Sequence, residues 1–332
     1  MSLRRVLTTL AVASLTLMAC TPTAATPSPT TAPTATPAAT PTTAPSPTSS
    51  PSAAELCATA TYKNPGRLTL STDNPAFPPW FGGDAKTQYP NEPTAGSPWS
   101  ESDFSAEPYS GEGFEGATAY AVANAMGFTP DKVDWLANAD FAKAFAPGPK
   151  EFDFHMAQIA ITADRAKAVT FSDPYLDSNQ SLLILANNKL ARAASIADLK
   201  DAKLGAAANT TAFDFLETGI APTQEPLNFP DNTAALTALK GKIVDGIIVD
   251  LATAIYMRDA ELEDFDTPDP EGKVVGQFGP PATPDEVGFV LELNNPLVTC
   301  VNAALAEIKG NGVHQHILDQ WINTGQEIPF LQ

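Results

Sequence analysis

Phe152-Asp153-Phe154-His155-Met156-Ala157-Gln158-Ile159-Ala160-Ile161-Thr162-Ala163-Asp164-Arg165 is followed, three residues on, by Val169-Thr170-Phe171-Ser172-Asp173-Pro174-Tyr175. Residues 154–161 are largely apolar and predict a strand. Arg165 comes just after it, and the composition shifts after Tyr175. On the N-terminal side, Arg67–Thr72 alternates apolar and polar residues and predicts another strand. Asp73-Asn74-Pro75-Ala76-Phe77-Pro78-Pro79-Trp80 then forms a proline-rich loop that cannot be helical. Residues 81–112 show little periodicity. A helix is expected over 117–126, stopping at Gly127, then a short strand over 133–136 and a helix over 139–145. On the C-terminal side, strands are expected over 181–185, 204–208, 243–249 and 287–293, with a capped turn at 195–199. Helices are expected over 210–217, 233–239, 296–308 and 314–321. Pro296 suits the first turn of its helix. This alternation predicts an α/β fold with helices on both faces of the sheet, and no internal repeat is visible.

The N-terminus predicts where such a protein works. Met1–Arg5 carries two arginines, and Val6–Met18 is apolar or small, too short to span a bilayer but suited to a signal peptide. Leu17-Met18-Ala19-Cys20 resembles the lipobox of bacterial lipoproteins, which implies a signal peptide at 1–19 and a diacylglycerol on Cys20. Acyl chains contribute about 0.8 kcal/mol per buried methylene, so two or three would hold the protein at a membrane face. Residues 21–54 contain only Thr, Pro, Ala and Ser. They cannot bury enough apolar surface to offset ordering entropy, so 20–56 reads as a lipidated, disordered, semi-rigid tether. The net charge of -19 becomes -21 without residues 1–19, where Arg4 and Arg5 are the charged groups. That balance argues against nucleic acid and anionic membrane surfaces as partners. With Cys20 acylated, Cys57 and Cys300 form an even pair, which in an exported protein reads as a disulfide. His155, His314 and His316 do not sit with these cysteines at zinc-ligand spacing, so neither metal nor cofactor is expected.

The quoted segment, an apolar strand, a Thr, an acidic residue, an Arg and then Phe-Ser-Asp-Pro-Tyr, resembles the bacterial extracellular solute-binding proteins of family 3, the receptors of polar amino acid importers. Further pieces in the same order are Gly113-Phe114-Glu115, Asp198-Leu199-Lys200, Val244-Asp245-Gly246, and Val301-Asn302-Ala303-Ala304-Leu305 through Gly312 to Trp321. The resemblance runs from about Arg67 to Ile322, interrupted over 81–112. It implies a two-lobed periplasmic-binding-protein fold of type II, with a ligand cleft between lobes joined by two crossover strands. Lobe one would comprise 57–177 and 290–332, and lobe two 182–286. It implies an extracytoplasmic, lipid-anchored and monomeric receptor. That receptor would bind a free, polar amino acid and hand it to the permease of an ABC importer.

A free amino acid demands forked donors for its α-carboxylate, an acid for its α-ammonium, and shape for its side chain. Arg165 stands at the family's carboxylate clamp. Asn209-Thr210-Thr211 joins a strand to a helix and would add N–H donors and the Thr211 hydroxyl. Asp250 matches the ammonium-binding aspartate. Phe77 and Phe141 match the aromatic positions that sandwich the side chain, with Trp80 assisting, and Asp73 matches a position that touches polar side-chain ends. Three positions depart from the pattern: Asn209 stands where Gly is usual, Ala160 where a hydroxyl is common, and Gln158 where small residues are common. Gln158 would either supply a donor or narrow the pocket. Residues 81–112, with Tyr89, Trp99, Phe104 and Tyr109, read as a surface excursion or as a flap or docking surface. Some relatives of this fold are dehydratases of prephenate or arogenate, or peptidoglycan lyases. This chain has no Gly-x-Ser-x-Gly element, no second catalytic carboxylate at suitable spacing and no metal set, so a binding protein is expected and not an enzyme. A ligand-sensing subunit of a signalling system would use the same binding chemistry.

Overall fold

Leu68–Asp73 forms strand β1, and nearly every side chain on it is buried. Continuous burial of that kind belongs to a central strand covered on both faces. The computed structural model describes residues 51–74, 76–82, 108–138, 140–262, 272–279, 283–323 and 325–332. The proposed signal peptide, Cys20, most of the tether, and Tyr89, Trp99 and Phe104 lie outside them. Within them no helix is long and apolar enough to cross a membrane.

β1 runs parallel to β2 (Val133–Asn138) on one side and β3 (Phe154–His155) on the other. β4 (Val169–Phe171) lies at the far edge of this five-stranded sheet. β5 (Leu176–Ser178) leads out of it and into β6 (Gln180–Leu185), the centre of a second sheet. There β6 is flanked by β9 (Gly246–Asp250), and then come β7 (Leu204–Ala207) and β8 (Leu227–Phe229). On its other side lies β10 (Gly272–Phe278). The chain returns through β11 (Asp285–Val287), antiparallel to β5, and β12 (Val290–Glu292), which inserts between β3 and β4. Two lobes joined by two crossover strands result. Leu182 and Ile184 of β6 enter one hydrophobic cluster and Leu183 another. Period-two alternation thus puts a core on each face of the second sheet.

The helices are α1 (Ala53–Cys57), α2 (Phe114–Ala125), α3 (Phe141–Ala144), α4 (Thr211–Phe215), α5 (Asn232–Lys240), α6 (Leu251–Tyr256), α7 (Leu297–Gly310) and α8 (Val313–Trp321). A disulfide joins Cys57 of α1 to Cys300 of α7, with Cα atoms 5.1 Å apart. α2 begins three residues before the expected start, because its first N–H groups find loop carbonyls. Phe114 N donates to Pro79 O, and Glu115 N and Gly116 N donate to Trp80 O. Gly113 makes this fit possible: a Cβ there would stand 2.5 Å from the backbone of Trp80 and Phe81.

Several expectations need correction. The strand expected over 154–161 pairs only at Phe154 and His155, with an isolated bridge at Ala160. Gln158 has φ +52° and gives its N–H to Glu115 instead of to a neighbouring strand. The strand expected over 243–249 starts at Gly246, because Ile243 N turns back to Ala238 O and closes α5. The expected strand 287–293 divides at Gly288, each half serving a different partner strand. A Cβ at Gly288 would meet Ile161 at 2.9 Å. The helix expected over 210–217 is α4 followed by a wider turn at Leu216–Ile220. The chain end does not stay with lobe one: Phe330–Leu331 forms β13, parallel to β10 in the second sheet, and Leu331 is buried there. Tyr109, at the end of the aperiodic stretch, is buried in the first lobe, where its hydroxyl accepts from Trp135 N.

Candidate ligand-binding site

Arg165 leaves β3's trailing loop with its backbone N–H on Thr162 Oγ1. Its guanidinium donates from Nη1 to Ala160 O and from Nη2 to Asn209 O, both at 2.8 Å. The second bond crosses from the first lobe to the turn before α4. The guanidinium carbon stands 4.4 Å from the centroid of the Phe145 ring and 5.6 Å from that of Phe141. No carboxylate among the described residues lies within ion-pair distance of it. Burial pulls its pKa down, and the fields of Asp214 and Asp285 pull the other way, yet an arginine keeps its charge in such surroundings. Two of its five N–H donors serve neutral carbonyls, so it can still grip an anion. Asn209 takes a left-handed conformation (φ +62°) that asparagine tolerates better than most residues, which accounts for an Asn in place of the usual Gly.

The field of Asp285 reaches this cation, and Asp250, Glu115 and Asp73 follow from it, each feeling the charge of the one before. Asp250 caps α6, accepting from Thr253 N at 2.9 Å. Burial raises its pKa, that hydrogen bond opposes the rise, and the charge of Asp285 adds to it. Asp285 accepts from Thr211 Oγ1 at 2.6 Å and from Gln180 Nε2 at 2.8 Å. Asp73, at the end of β1, has the Asn138 amide at 3.5 Å and His155 Nε2 at 3.7 Å. Burial, then the neighbouring charges of Glu115 and Asp140, push its carboxyl up to about 7. Glu115 is fully buried on α2 and accepts from the Tyr175 hydroxyl, from Gln158 N at 2.8 Å and from Gln158 Nε2 at 2.5 Å. Burial pushes it up to about 7 despite these donors, and the charge of Asp250 contributes. Glu115 therefore feels both Asp73 and Asp250. His155 is driven down to about 3 by burial and then by Lys150, so it is neutral.

The structure brings Phe141 and Asn209 each into contact with Arg165. It assigns other work to several of the expected residues. Gln158 spends its amide on Glu115 and so braces a buried acid. Trp80 is 1% exposed, and its Nε1 donates to Thr253 Oγ1 at 2.8 Å across the lobes. Thr210 caps α4 by accepting from Phe213 N, and the Thr211 hydroxyl is committed to Asp285. Phe77 packs half-buried against the first lobe's core. Sequence reading passed over Glu115, Phe145, Thr253 and Asp285. Glu115 stood in a quoted motif, but nothing in its spacing indicated burial. A cavity of about 550 Å³ beside α1, bordered by Tyr62, Met126 and Phe128, shares no lining residue with this site.

The raised acids give the fold a definite pH response. An unfolded chain releases the Glu115 proton near 4.5, whereas the fold holds it to about 7. Between those values the native state binds the extra proton, so stability falls as pH rises through that window. Melting of the ligand-free protein should show this decline. Glu115→Gln, which keeps the shape and cannot ionise, should flatten it; an unchanged slope would exclude Glu115 as a source.

Known proteins share both the sequence pattern and the fold. The family profile of the bacterial extracellular solute-binding proteins, family 3, matches residues 98–324. The ABC transporter glutamine-binding protein GlnH of Bacillus subtilis is 28% identical over 173 residues, which is 52% of this chain and 58% of that protein. ABC transporter arginine-binding protein 1 of Escherichia coli is 26% identical over 176 residues, 52% of this chain and 67% of that one. The chain thus spans less than two thirds of the first of these relatives. A solved ancestral arginine-binding protein bound to glutamine matches with a TM-score of 0.58 at 24% identity, covering 77% of this chain and 98% of the other. At that identity the structural likeness speaks for the fold, and both curated relatives are binding proteins.

Proposed function

This chain belongs to the bacterial extracellular solute-binding proteins of family 3, and from that premise we propose that it captures a free, polar amino acid between its lobes and delivers it to a membrane ABC importer. One observation carries the reading: the Arg165 guanidinium reaches the second lobe without a carboxylate partner among the described residues. Arg165 takes the ligand's α-carboxylate in a forked, charge-assisted pair. The backbone at Asn209-Thr210-Thr211 approaches the same carboxylate from the other lobe. Asp250 takes the α-ammonium; burial raises its pKa, and a cation brought beside it favours the charged form. Phe77 and Phe141 bound the side chain, and Asp73 meets its polar end. Relatives named for glutamine and arginine support a polar side chain. Closure excludes water and strengthens each of these contacts.

The rest of the chain suits delivery at a membrane. Residues 1–19 act as the signal peptide, Cys20 carries the lipid, and the tether to residue 56 gives the monomeric receptor reach to its permease. Lobe one spans about 57–177 and 290–323. Lobe two spans about 182–286 and takes in the last strand. Asp250→Asn tests the orientation of the ligand. It should weaken binding of an α-amino acid roughly tenfold or more and leave the deaminated analogue nearly unaffected, as read by calorimetry. Equal losses for both compounds would remove Asp250 from the ammonium site.

A further inference from the structure

After α8 the chain crosses between the lobes a third time. Leu318, Trp321 and Ile322 pack on the first lobe's core, and Asn323 N still donates to Leu318 O. Residues 325–332 then lie on the second lobe. Arg258 Nη2 donates to Gln326 Oε1 at 2.7 Å, and Ile328 packs against one of that lobe's cores. Gln277 donates twice to the same stretch, from N to Pro329 O and from Nε2 to Ile328 O, both at 2.9 Å. Phe330–Leu331 pairs with β10, Leu331 is 2% exposed, and Ile196 N donates to Gln332 O at 3.0 Å. Glycines make room for this segment. A Cβ on Gly276 would stand 2.7 Å from Leu331 Cγ and 2.9 Å from Pro329 O, and a Cβ on Gly279 would collide with the Phe330 ring. Gln277 also reaches a crossover strand: its Oε1 accepts from Asn179 Nδ2 at 2.8 Å, and Asn179 joins β5 to β6.

We propose that residues 325–332 form a strap, a third tie between the lobes beside the two crossover strands, and that this strap limits how far the lobes part. The limit comes from the short link. Asn323 is fastened to α8, Gln326 is the first anchor on the second lobe, and Ile328 is the next. Even from Asn323 to Ile328, five residues on, the link spans at most about 18 Å fully extended. A strand that merely capped the edge of β10 would shield it from pairing with another chain whatever the length of the link. Only a short link restrains the lobes. Gln277 joins this strap to the point where a crossover strand enters the second sheet. Lobes kept near their closed spacing are more often in the binding form, and apparent affinity rises with that fraction. Movement of the lobes around a ligand rests on the function proposed above; the tie itself does not.

The test lengthens the link in the full chain and leaves the anchors in place. About eight Gly and Ser residues inserted after Asn323 add a flexible stretch with a mean reach of roughly 16 Å. Nitroxides on ketone-bearing side chains at Thr237 of α5 and Glu307 of α7, both exposed, report the spacing of the lobes by pulsed electron paramagnetic resonance with the cysteines untouched. Without ligand, the insertion should lengthen the mean distance by roughly 5 Å or more and broaden its distribution. Saturating L-arginine or L-glutamine should restore the wild-type distance, with affinity lowered roughly threefold to tenfold. Gln326→Ala removes the first anchor, and it should lengthen the ligand-free distance by a smaller amount. It also serves as the test should the insertion fail to fold. A ligand-free distance identical to wild type in the folded variants would overturn the strap, as would a distance lengthened equally with and without ligand. A wild-type protein that binds neither amino acid would count against the proposed ligand class, while the ligand-free distances would still decide the strap.

Discussion

Arg165→Ala is expected to weaken amino acid binding by roughly tenfold to a hundredfold, the range of a charge-assisted hydrogen-bonded pair of 1.5–3 kcal/mol. The alanine variant loses the forked donor and the cation resting on Phe145 and Phe141, and it loses the bond to Asn209 O that joins the lobes. Arg165→Lys should recover only part of the affinity, because an ammonium is a point charge that cannot bind a carboxylate bidentately. The fold should survive both changes, since Arg165 belongs to none of the buried hydrophobic clusters. Calorimetry with the best amino acid ligand reads the result, and an affinity equal to wild type would remove Arg165 from the site.

The second large effect concerns stability. The Cys57–Cys300 bridge spans 243 residues of sequence. In the chain-entropy account such a loop stabilises the fold by about 5 kcal/mol, because it restricts the unfolded chain. The bridge also fastens α1, a helix of five residues whose capping box at Ser52 and Glu55 is exposed. Replacing both cysteines by serine should lower the melting temperature by roughly 10–15 °C. It should leave ligand affinity within a factor of two or three, since neither residue lies near Arg165 or Asp250. Peptide mapping without reductant should recover Cys57 and Cys300 in one linked species. Two free thiols, or a melting temperature unmoved by the double substitution, would contradict this.

The parts of this molecule legible in the sequence are those governed by local periodicity and by motif order. β1, β6, α5, α7 and α8 fall where patterning places them, because each is built from one face or one run of apolar residues. The two-lobed class follows from a motif order that no single segment would establish. What escaped the sequence depends on partners distant along the chain. The strand after Phe154 breaks because Gln158 turns to Glu115, 43 residues away. Leu331 reads as the end of lobe one, yet it is buried against the second sheet through β10. Trp80 reads as an aromatic in a binding loop, yet its indole is held by α6. Thr211 was expected to offer its hydroxyl to a ligand, and Asp285, on a strand 74 residues later, claims it. The acids show the same limit: Asp73 and Asp250 were visible as matches to a pattern, whereas the raised pKa of Glu115 arises from burial that three donors on two other segments only partly offset.

The central claim is that the cleft holds a free amino acid by its two charged ends, with Arg165 and Asp250 opposed. The most direct measurement is a thermal-shift screen of residues 51–332 against the twenty amino acids, their common deaminated analogues, simple dicarboxylates and prephenate. A ligand that binds only the native state raises the melting temperature through mass action. The account predicts a clear rise with one or a few polar amino acids, and a much smaller one with the matching deaminated compounds. A rise with dicarboxylates or prephenate, and with no amino acid, would contradict it.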